Sequence, residues 1–484
     1  MKKRNLLISS LIAAGALAAV GCETGGESGG SGGLVKIRVD SQYGKGMQEL
    51  LATMADEFNN QNKGKIEVTV NQISGGYKAV LTSVKADLDV NQDQWADLVC
   101  CYPDHVCDYL EYGKVVNLDQ FIYSKDKSIA FDVDDLTDSA RTYLDIQYPA
   151  SGTYAMPYSI STECMFYNPA ILGVTIAGVN NGLPINEEYI ENLTWDEFFD
   201  NFCPKFVEYN KSLSAEEKIL DTSTDWSILG YDDDGNAFIT LAQQYGYGYT
   251  SLDEYRNPSI DFNNPEMKAL LKKWNGYKNS HYVLSEGSYK DKRPSSELFA
   301  KKPPKCLFTI GSTGGLSYHK PDLFEIRCAP VPQVDLDNRQ FILQGGSWCI
   351  LSHNSADNKA RQQAAWKFYK YLTTYENCAR WSTDTGYAPL RNSVYRGEEW
   401  ADISDLTPFI GKPSKDNLYA RNAIYLNTVK DELFTSEVFK GSASARNYVE
   451  GLFGEVLTLT VAQCTQSKLD EKFLAAYNNT LNDL

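Results

Sequence analysis

From Leu34 onward, strand-like and helix-like hydrophobic patterns take turns along the chain. Val35, Ile37 and Val39 alternate with Lys36 and Arg38, which predicts a strand ending at Asp40-Ser41-Gln42-Tyr43-Gly44. Leu50, Leu51, Met54 and Phe58 then recur at helical spacing. A second strand, Ile66 to Val70, ends at Gly75-Gly76-Tyr77, and a helix runs from there to about Leu88. A third strand, Ala96 to Cys100, ends at Cys101-Tyr102-Pro103-Asp104. Strand–helix repetition predicts an α/β fold with a mainly parallel sheet. In open sheets of this class the ligand sits beyond the carboxyl ends of the strands. That rule nominates Tyr43, Gly76, Tyr77, Tyr102 and Asp104 as ligand contacts.

Further along, Gly152 to Asn168 reads as a strand-like stretch with polar residues inside it, among them Tyr158, Ser159, Ser161 and Glu163. Their polarity suits exposure to something polar. Thr194 and Glu197 form a capping box ahead of a helix, with Trp195 placed for the core. The strand Cys306 to Ile310 runs into Gly311-Ser312-Thr313-Gly314-Gly315, where backbone N–H groups and two hydroxyls can line an anion nest or a wall for a polyol. Gln344-Gly345-Gly346-Ser347-Trp348 turns into the apolar strand Trp348 to Leu351. Ala364, Ala365, Phe368, Tyr371 and Leu372 then mark one face of a helix, with Ser355 as its expected cap. Gly386 and Pro389 bracket an irregular piece, Thr385 to Arg391, that cannot continue a helix. Several helices follow to Leu484.

The amino end differs in kind. Lys2, Lys3 and Arg4 precede an apolar run from Leu6 to Val20, too short to span a bilayer comfortably and better read as a signal peptide over residues 1–21. It closes Ala19-Val20-Gly21-Cys22. Residues 22–33 are nearly all Gly, Ser, Glu and Thr, a composition that forms a flexible tether rather than a core. About 450 residues remain, enough for two lobes. The formal charge is −17, and cleavage at Cys22 removes three positive charges more. A strongly acidic surface argues against nucleic acid and against anionic lipid as partners. The 31 tyrosines and 8 tryptophans supply faces that can stack on sugar rings, and Trp226 is one candidate.

Chemistry beyond binding finds little support in the sequence. Of the 11 cysteines, Cys100, Cys164, Cys306, Cys328 and Cys349 sit in apolar runs, where free buried thiols are expected. No CxxC pair occurs and the four histidines are scattered, so neither a metal site nor a cofactor is expected. Asp232 to Asp234 and the Asp87–Asp93 stretch match a calcium loop only in part. There is no Gly-x-Ser-x-Gly elbow. A glycosidase-like carboxylate pair stays open as an alternative, as does a surface adhesin for long glycans.

Two motifs carry a family resemblance. Ala19-Val20-Gly21-Cys22 resembles a bacterial lipobox, with Ala19 where Leu is usual, and it implies an acylated Cys22. The ordered series Gly-Gly, apolar strand, Ala364-Ala365-Trp366-Lys367-Phe368, Tyr371-Leu372-Thr373 and Thr385-Gly386-Tyr387-Ala388-Pro389-Leu390-Arg391 resembles bacterial extracellular solute-binding proteins. These are the receptors of ABC importers, and the group includes maltose- and glycerol-3-phosphate-binding proteins. The resemblance spans about Val35 to Tyr395. It implies a type II periplasmic-binding-protein fold, two α/β lobes joined by three crossovers, with 34–155 and 332–385 in the first lobe and 156–331 and 386–484 in the second. It also implies a monomeric, lipid-anchored receptor that delivers a carbohydrate to an ABC permease, with a phosphorylated polyol as the alternative ligand. The cleft residues it implies are Tyr158, Ser159, Ser161, Glu163, Ser312, Thr313, Gly314, Gly315, Gln344, Gly346, Ser347, Trp348, Tyr387 and Arg391.

Overall fold

Alternating apolar runs build ten strands that fall into two five-stranded sheets in a computed structural model, which describes residues 33–289, 294–319, 324, 326–397 and 418–484. The leader, Cys22 and the tether as far as residue 32 lie outside the described residues. The strands are β1 (Val35–Ser41), β2 (Ile66–Gln72), β3 (Leu98–Cys101), β4 (Met156–Ser161), β5 (Glu163–Tyr167), β6 (Ser227–Tyr231), β7 (Val283–Ser285), β8 (Cys306–Ser312), β9 (Arg327–Ala329) and β10 (Gln344–Ile350). The helices that bear on the site are α1 (Lys45–Gln61), α2 (Gly76–Val90), α3 (Pro103–Leu110), α4 (Asp234–Tyr245), α5 (Asn358–Leu372), α6 (Tyr375–Thr385) and α7 (Ser442–Thr458).

The first sheet has the order β2-β1-β3-β10-β4 and the second β9-β5-β8-β6-β7. In the first, β1 runs parallel to β2 (Val35 opposite Ile66) and to β3 (Val39 opposite Leu98). In the second, β6 is parallel to both β8 and β7. The remaining strands are antiparallel. Strand β10 runs against β3 and β4, and β5 runs against β8 and β9. The expected mainly parallel sheet is therefore a parallel trio with antiparallel strands beside it. A strand that enters a sheet from the other lobe arrives from the opposite end and must run backwards.

Each sheet is buried against its own helices. Val39, Leu51, Trp348, Trp366 and Phe368 belong to one core, and Phe198, Phe202, Trp274, Phe308 and Phe453 to another. Trp195 is fully buried in the second core and donates to Gln244, as its place after the cap suggests. Thr194 Oγ1 accepts from Glu197 N at 3.1 Å, while the Glu197 side chain accepts from Tyr189 and Asn201 instead of completing the box. Ser355 does not cap α5. Asp357 holds that position without a side-chain bond to the helix.

Two boundaries differ from the expectation. Met156–Ser161 hydrogen-bonds in the first sheet, so the handover lies at Thr162 rather than at residue 156. The stretch after Gly386, expected on the second lobe, instead buries Tyr387, Ala388 and Leu390 in the first core. Ala388 bridges to Ile160 and Arg391 to Leu136, because an extended strand edge there offers free backbone partners.

Only Thr162 separates β4 from β5, and it is fully buried. Its Oγ1 donates to Ile342 O at 2.7 Å, its N–H to Thr313 Oγ1 at 3.4 Å, and its carbonyl accepts from Thr313 N at 2.8 Å. Thr162→Val keeps the shape and strips the hydroxyl, leaving the Ile342 carbonyl without that donor. The expected loss is about 1–3 kcal/mol of unfolding free energy in urea titrations. A loss under a few tenths would show that the hydroxyl does not hold the junction.

Candidate functional site

The parallel strands of both sheets point their carboxyl ends at one space between them. That space is a cavity of about 380 Å³. Gln42, Tyr43 and Gly44 reach it past the end of β1, and Tyr102 past the end of β3. Asp232 and Asp233 come from the end of β6, Glu286 follows β7, and Gly311, Ser312, Gly314 and Gly315 come from the end of β8. Ser161 and Glu163 flank the junction at Thr162, and Gln344 and Gly345 open β10.

One wall is aromatic: Tyr43, Tyr77, Tyr102, Tyr318 and Tyr387 all line the cavity. Most are fixed by neighbours. Tyr43 shares a 2.6 Å hydrogen bond with Ser159 Oγ, accepts from Cys100 Sγ at 3.3 Å, and sets its ring edge-on to Trp381 with centroids 5.0 Å apart. Tyr387 lies nearly parallel to Trp381 at 6.2 Å and against Gly314, where a Cβ would stand 2.3 Å from its ring. Tyr77 stacks on Tyr102 at 3.9 Å and 20°. Its hydroxyl passes over Gly346, where a Cβ would come within 2.4 Å. Burial pushes the phenols of Tyr43, Tyr77 and Tyr102 up, so they stay neutral donors.

The other wall is acidic. Glu163, Asp232, Asp233 and Glu286 line the cavity, and no lysine or arginine does among the described residues. Glu163 is 2% exposed, takes a 2.5 Å bond from Tyr231 OH on Oε2, and has no partner for Oε1. Burial, with Asp233 beside it, pushes its carboxyl up to about 8. Burial also raises Asp233, while its Oδ1 caps α4 by accepting from Asn236 N at 2.7 Å. Burial holds His319 below the usual histidine range, so it meets Asp232, 3.6 Å away, as a neutral ring.

The two sides touch across the cleft. Asn236 of α4 donates to Gln344 Oε1 of β10, and Ser312 donates to Ser161 at 3.0 Å. Arg446 of α7 donates to Asn236 Oδ1 at 2.8 Å and to Asp104 Oδ2 at 3.4 Å, and lies over the Tyr102 ring at 5.5 Å. On the far side of Tyr77 and Tyr102 a second cavity of about 670 Å³ opens between α2 and α7.

The sequence-nominated residues divide into three groups. Tyr43, Tyr77, Tyr102, Ser161, Glu163, Ser312, Gly314, Gly315, Gln344 and Tyr387 meet at the first cavity. Gly76 opens on the second, and Asp104 on a small recess of about 40 Å³ beside Arg446. The rest do not line these spaces. Tyr158 and Trp348 are core, Ser159 supports Tyr43 from behind, and Thr313 is tied to Thr162. Gly346 and Ser347 sit within β10. Trp226 stacks on His281 at 4.6 Å, away from the cleft. Arg391 donates to Thr373 O at 2.5 Å, pairs with Asp135 at 3.5 Å and covers Phe131, so it belongs to the wall of the first core. Sequence reasoning missed Asp232, Asp233 and Asn236 as site residues, although the strand-end rule applied to β6 reaches the first two. Arg446 sits in a helix with no local signal.

The profile of the bacterial extracellular solute-binding protein family matches residues 53–408, well over half of the chain. A comparison with curated protein sequences finds no match. Solved structures share the fold. UgpB from Mycobacterium tuberculosis, in complex with glycerophosphocholine, superposes with a TM-score of 0.67 at 18% identity, over 92% of this chain and 98% of its own. An ABC substrate-binding protein from Listeria monocytogenes, in complex with cycloalternan, gives 0.65 at 18% identity, over 93% and 99%. The maltose/maltodextrin-binding domain of Bdellovibrio bacteriovorus, bound to maltotriose, gives 0.62 at 14% identity, over 93% and 100%. Two sheets facing one cleft, the family profile and these superpositions agree: the chain belongs to the bacterial extracellular solute-binding proteins, a family of extracytoplasmic binding proteins that serve ABC importers.

Proposed function

We propose that the chain captures an uncharged carbohydrate between its lobes and hands it to an ABC import permease. The observation that carries this reading is the composition of the first cavity: five tyrosines and four acidic side chains, with no lysine or arginine among the described residues. Tyrosine faces bury the apolar faces of a sugar ring, and carboxylates accept its hydroxyls. A phosphate brought to the same wall would meet like charge and, among the described lining residues, no guanidinium, and Arg391 is held elsewhere by Asp135 and Thr373. The ligands of the superposed proteins include maltotriose and cycloalternan, which supports the sugar reading.

The remaining features follow the same reading. A leader over residues 1–21, acylation of Cys22 and a tether to residue 33 would hold a monomer on the outer face of the cell membrane. Ligand contacts both lobes, so it favours the closed arrangement, and no chemistry is done on it. The lobes divide at Thr162 after β4.

Thermal-shift titration of the tethered domain tests the ligand class. Neutral mono- and oligosaccharides are expected to raise the midpoint, since ligand binds only the folded state, and glycerol 3-phosphate and sugar phosphates are not. Stabilisation by phosphorylated polyols alone, or hydrolysis of the sugars, would overturn the reading. In calorimetry with the stabilising sugar, Tyr387→Ala should weaken binding by about tenfold or more, the loss of one stacking face at about 1.4 kcal/mol, whereas Arg391→Ala should leave affinity unchanged.

Glu163 gives a pH signature. Its folded-state value of about 8 lies above the ordinary 4.5, so the native state holds a proton that the unfolded chain has lost. Stability from this group is full below about 4.5 and falls as pH rises towards 8. Glu163→Gln should therefore flatten the decline and be more stable than wild type at pH 8.5, in paired urea titrations at pH 5 and 8.5. Asp234, raised by burial to about 7, keeps a smaller decline in the variant. Equal slopes in both proteins would place the Glu163 proton elsewhere.

A further inference from the structure

The first cavity does not end at its own walls. Tyr77, Tyr102, Asp232, Asp233 and Glu286 line both it and the second cavity, so the stacked tyrosine pair is a partition with ligand-accessible space on each side. Each space alone falls within the range of a complete small-molecule site, about 300–1,000 Å³. The second is the larger, at about 670 Å³.

The second chamber has its own hydrogen-bonding equipment. Helix α2 points its amino end into it through Gly75, Gly76, Tyr77 and Lys78, and no side chain caps that end. A helix start leaves its first N–H groups without partners inside the helix, as donors for an incoming oxygen. A second, separate observation marks the same space. His105 lines it, is 4% exposed, and has no partner for Nδ1. Burial holds that ring neutral. Across the gap, Arg446 supplies a donor edge, and Asp234, with Oδ1 unpartnered, supplies an acceptor. Donors and acceptors thus alternate around a space that both lobes enclose, a chemistry that fits a hydroxyl-rich unit better than an anion or a hydrocarbon.

We propose that the ligand is an oligosaccharide that occupies both chambers, its chain passing along the Tyr77–Tyr102 pair, with one end set among the tyrosines by Glu163 and the other held between the start of α2 and the face of α7. This rests on the sugar reading above and adds to it a length: a single sugar leaves the second chamber unused. The tyrosine pair sets the course of the chain, because its stacked rings offer a continuous apolar ledge from one chamber to the next.

Calorimetry on the tethered domain tests this, with linear malto-, cello-, manno- and xylo-oligosaccharides of one to six units. In the linkage class that binds, affinity should rise by at least about tenfold between the shortest binder and the length that fills both chambers, then level off. Asn447 lines the second chamber and not the first. Asn447→Trp fills that space, and it should abolish the gain with length while leaving the shortest ligand's affinity unchanged. Lys78→Ala, a change at an exposed position, serves as a second variant that folding does not threaten. It should lower affinity for the longer sugars only. Equal affinity for short and long sugars, or variants that weaken all lengths alike, would overturn the two-chamber ligand and leave the carbohydrate reading standing. Failure of every sugar to bind would remove both.

Discussion

Thr162 is the point on which the two halves depend. One buried residue ends the last strand of the first sheet and begins the first strand of the second. Its hydroxyl, amide and carbonyl are all bonded, to Ile342 just before the returning strand β10 and to Thr313 in the loop that closes β8. A buried backbone group without a partner costs as much as a lost hydrogen bond, so this junction cannot shift without re-pairing three groups at once. The cleft inherits that rigidity. Ser161 and Glu163 stand on either side of Thr162 and both face the cavity. The polar floor of the site is therefore set by the same bonds that join the sheets.

Direction of the strands explains why there is a cleft at all. Parallel strands in both sheets end at the same space, and chain that crosses over must come back antiparallel, as β5 and β10 do. Loops at carboxyl ends then meet loops at carboxyl ends. Those from the first sheet bring tyrosines, and those from the second bring Asp232, Asp233 and Glu286. The first half supplies most of the stacking face and the second the row of acceptors. The chemistry is assembled where the halves meet, and Asn236 with Gln344 and Arg446 with Asp104 show that they meet through polar contacts.

Much of this was readable from local pattern. The period-two runs at Val35, Ile66 and Ala96 located three strands, and their ends delivered Tyr43, Tyr77 and Tyr102 to the cavity. The family-like series around Tyr387 leads to a residue that lines the cavity, whereas Arg391 lies off it. Polarity next to a turn marks exposure only until another chain segment covers it, and Asp132, Asp135 and Thr373 cover Arg391. Tyr158 failed for the mirror reason: in a strand with helices on one face a tyrosine is as apolar as it needs to be, and Trp348 and Trp381 enclose it. Arg446 shows the limit of local reading. Nothing within a helical turn distinguishes it from a solvated arginine, and its role comes from Asp104 and Tyr102, more than three hundred residues earlier in the chain.

The acidity of the cleft suits the proposed sugar ligand. Several carboxylates crowded into a space that no lysine or arginine lines among the described residues repel one another, and burial makes each charge costlier. The structure answers by keeping Glu163 protonated near neutrality and by tying Asp233 to the start of α4. A protonated carboxyl donates through one oxygen and accepts through the other, so it can bond a hydroxyl in either sense. A hydroxyl-rich ligand supplies partners to Glu163 Oε1 and excludes water without adding charge, whereas an anion would force protons back onto the wall. The electrostatic state of the cleft therefore fits the proposed neutral, polyhydroxylated solute.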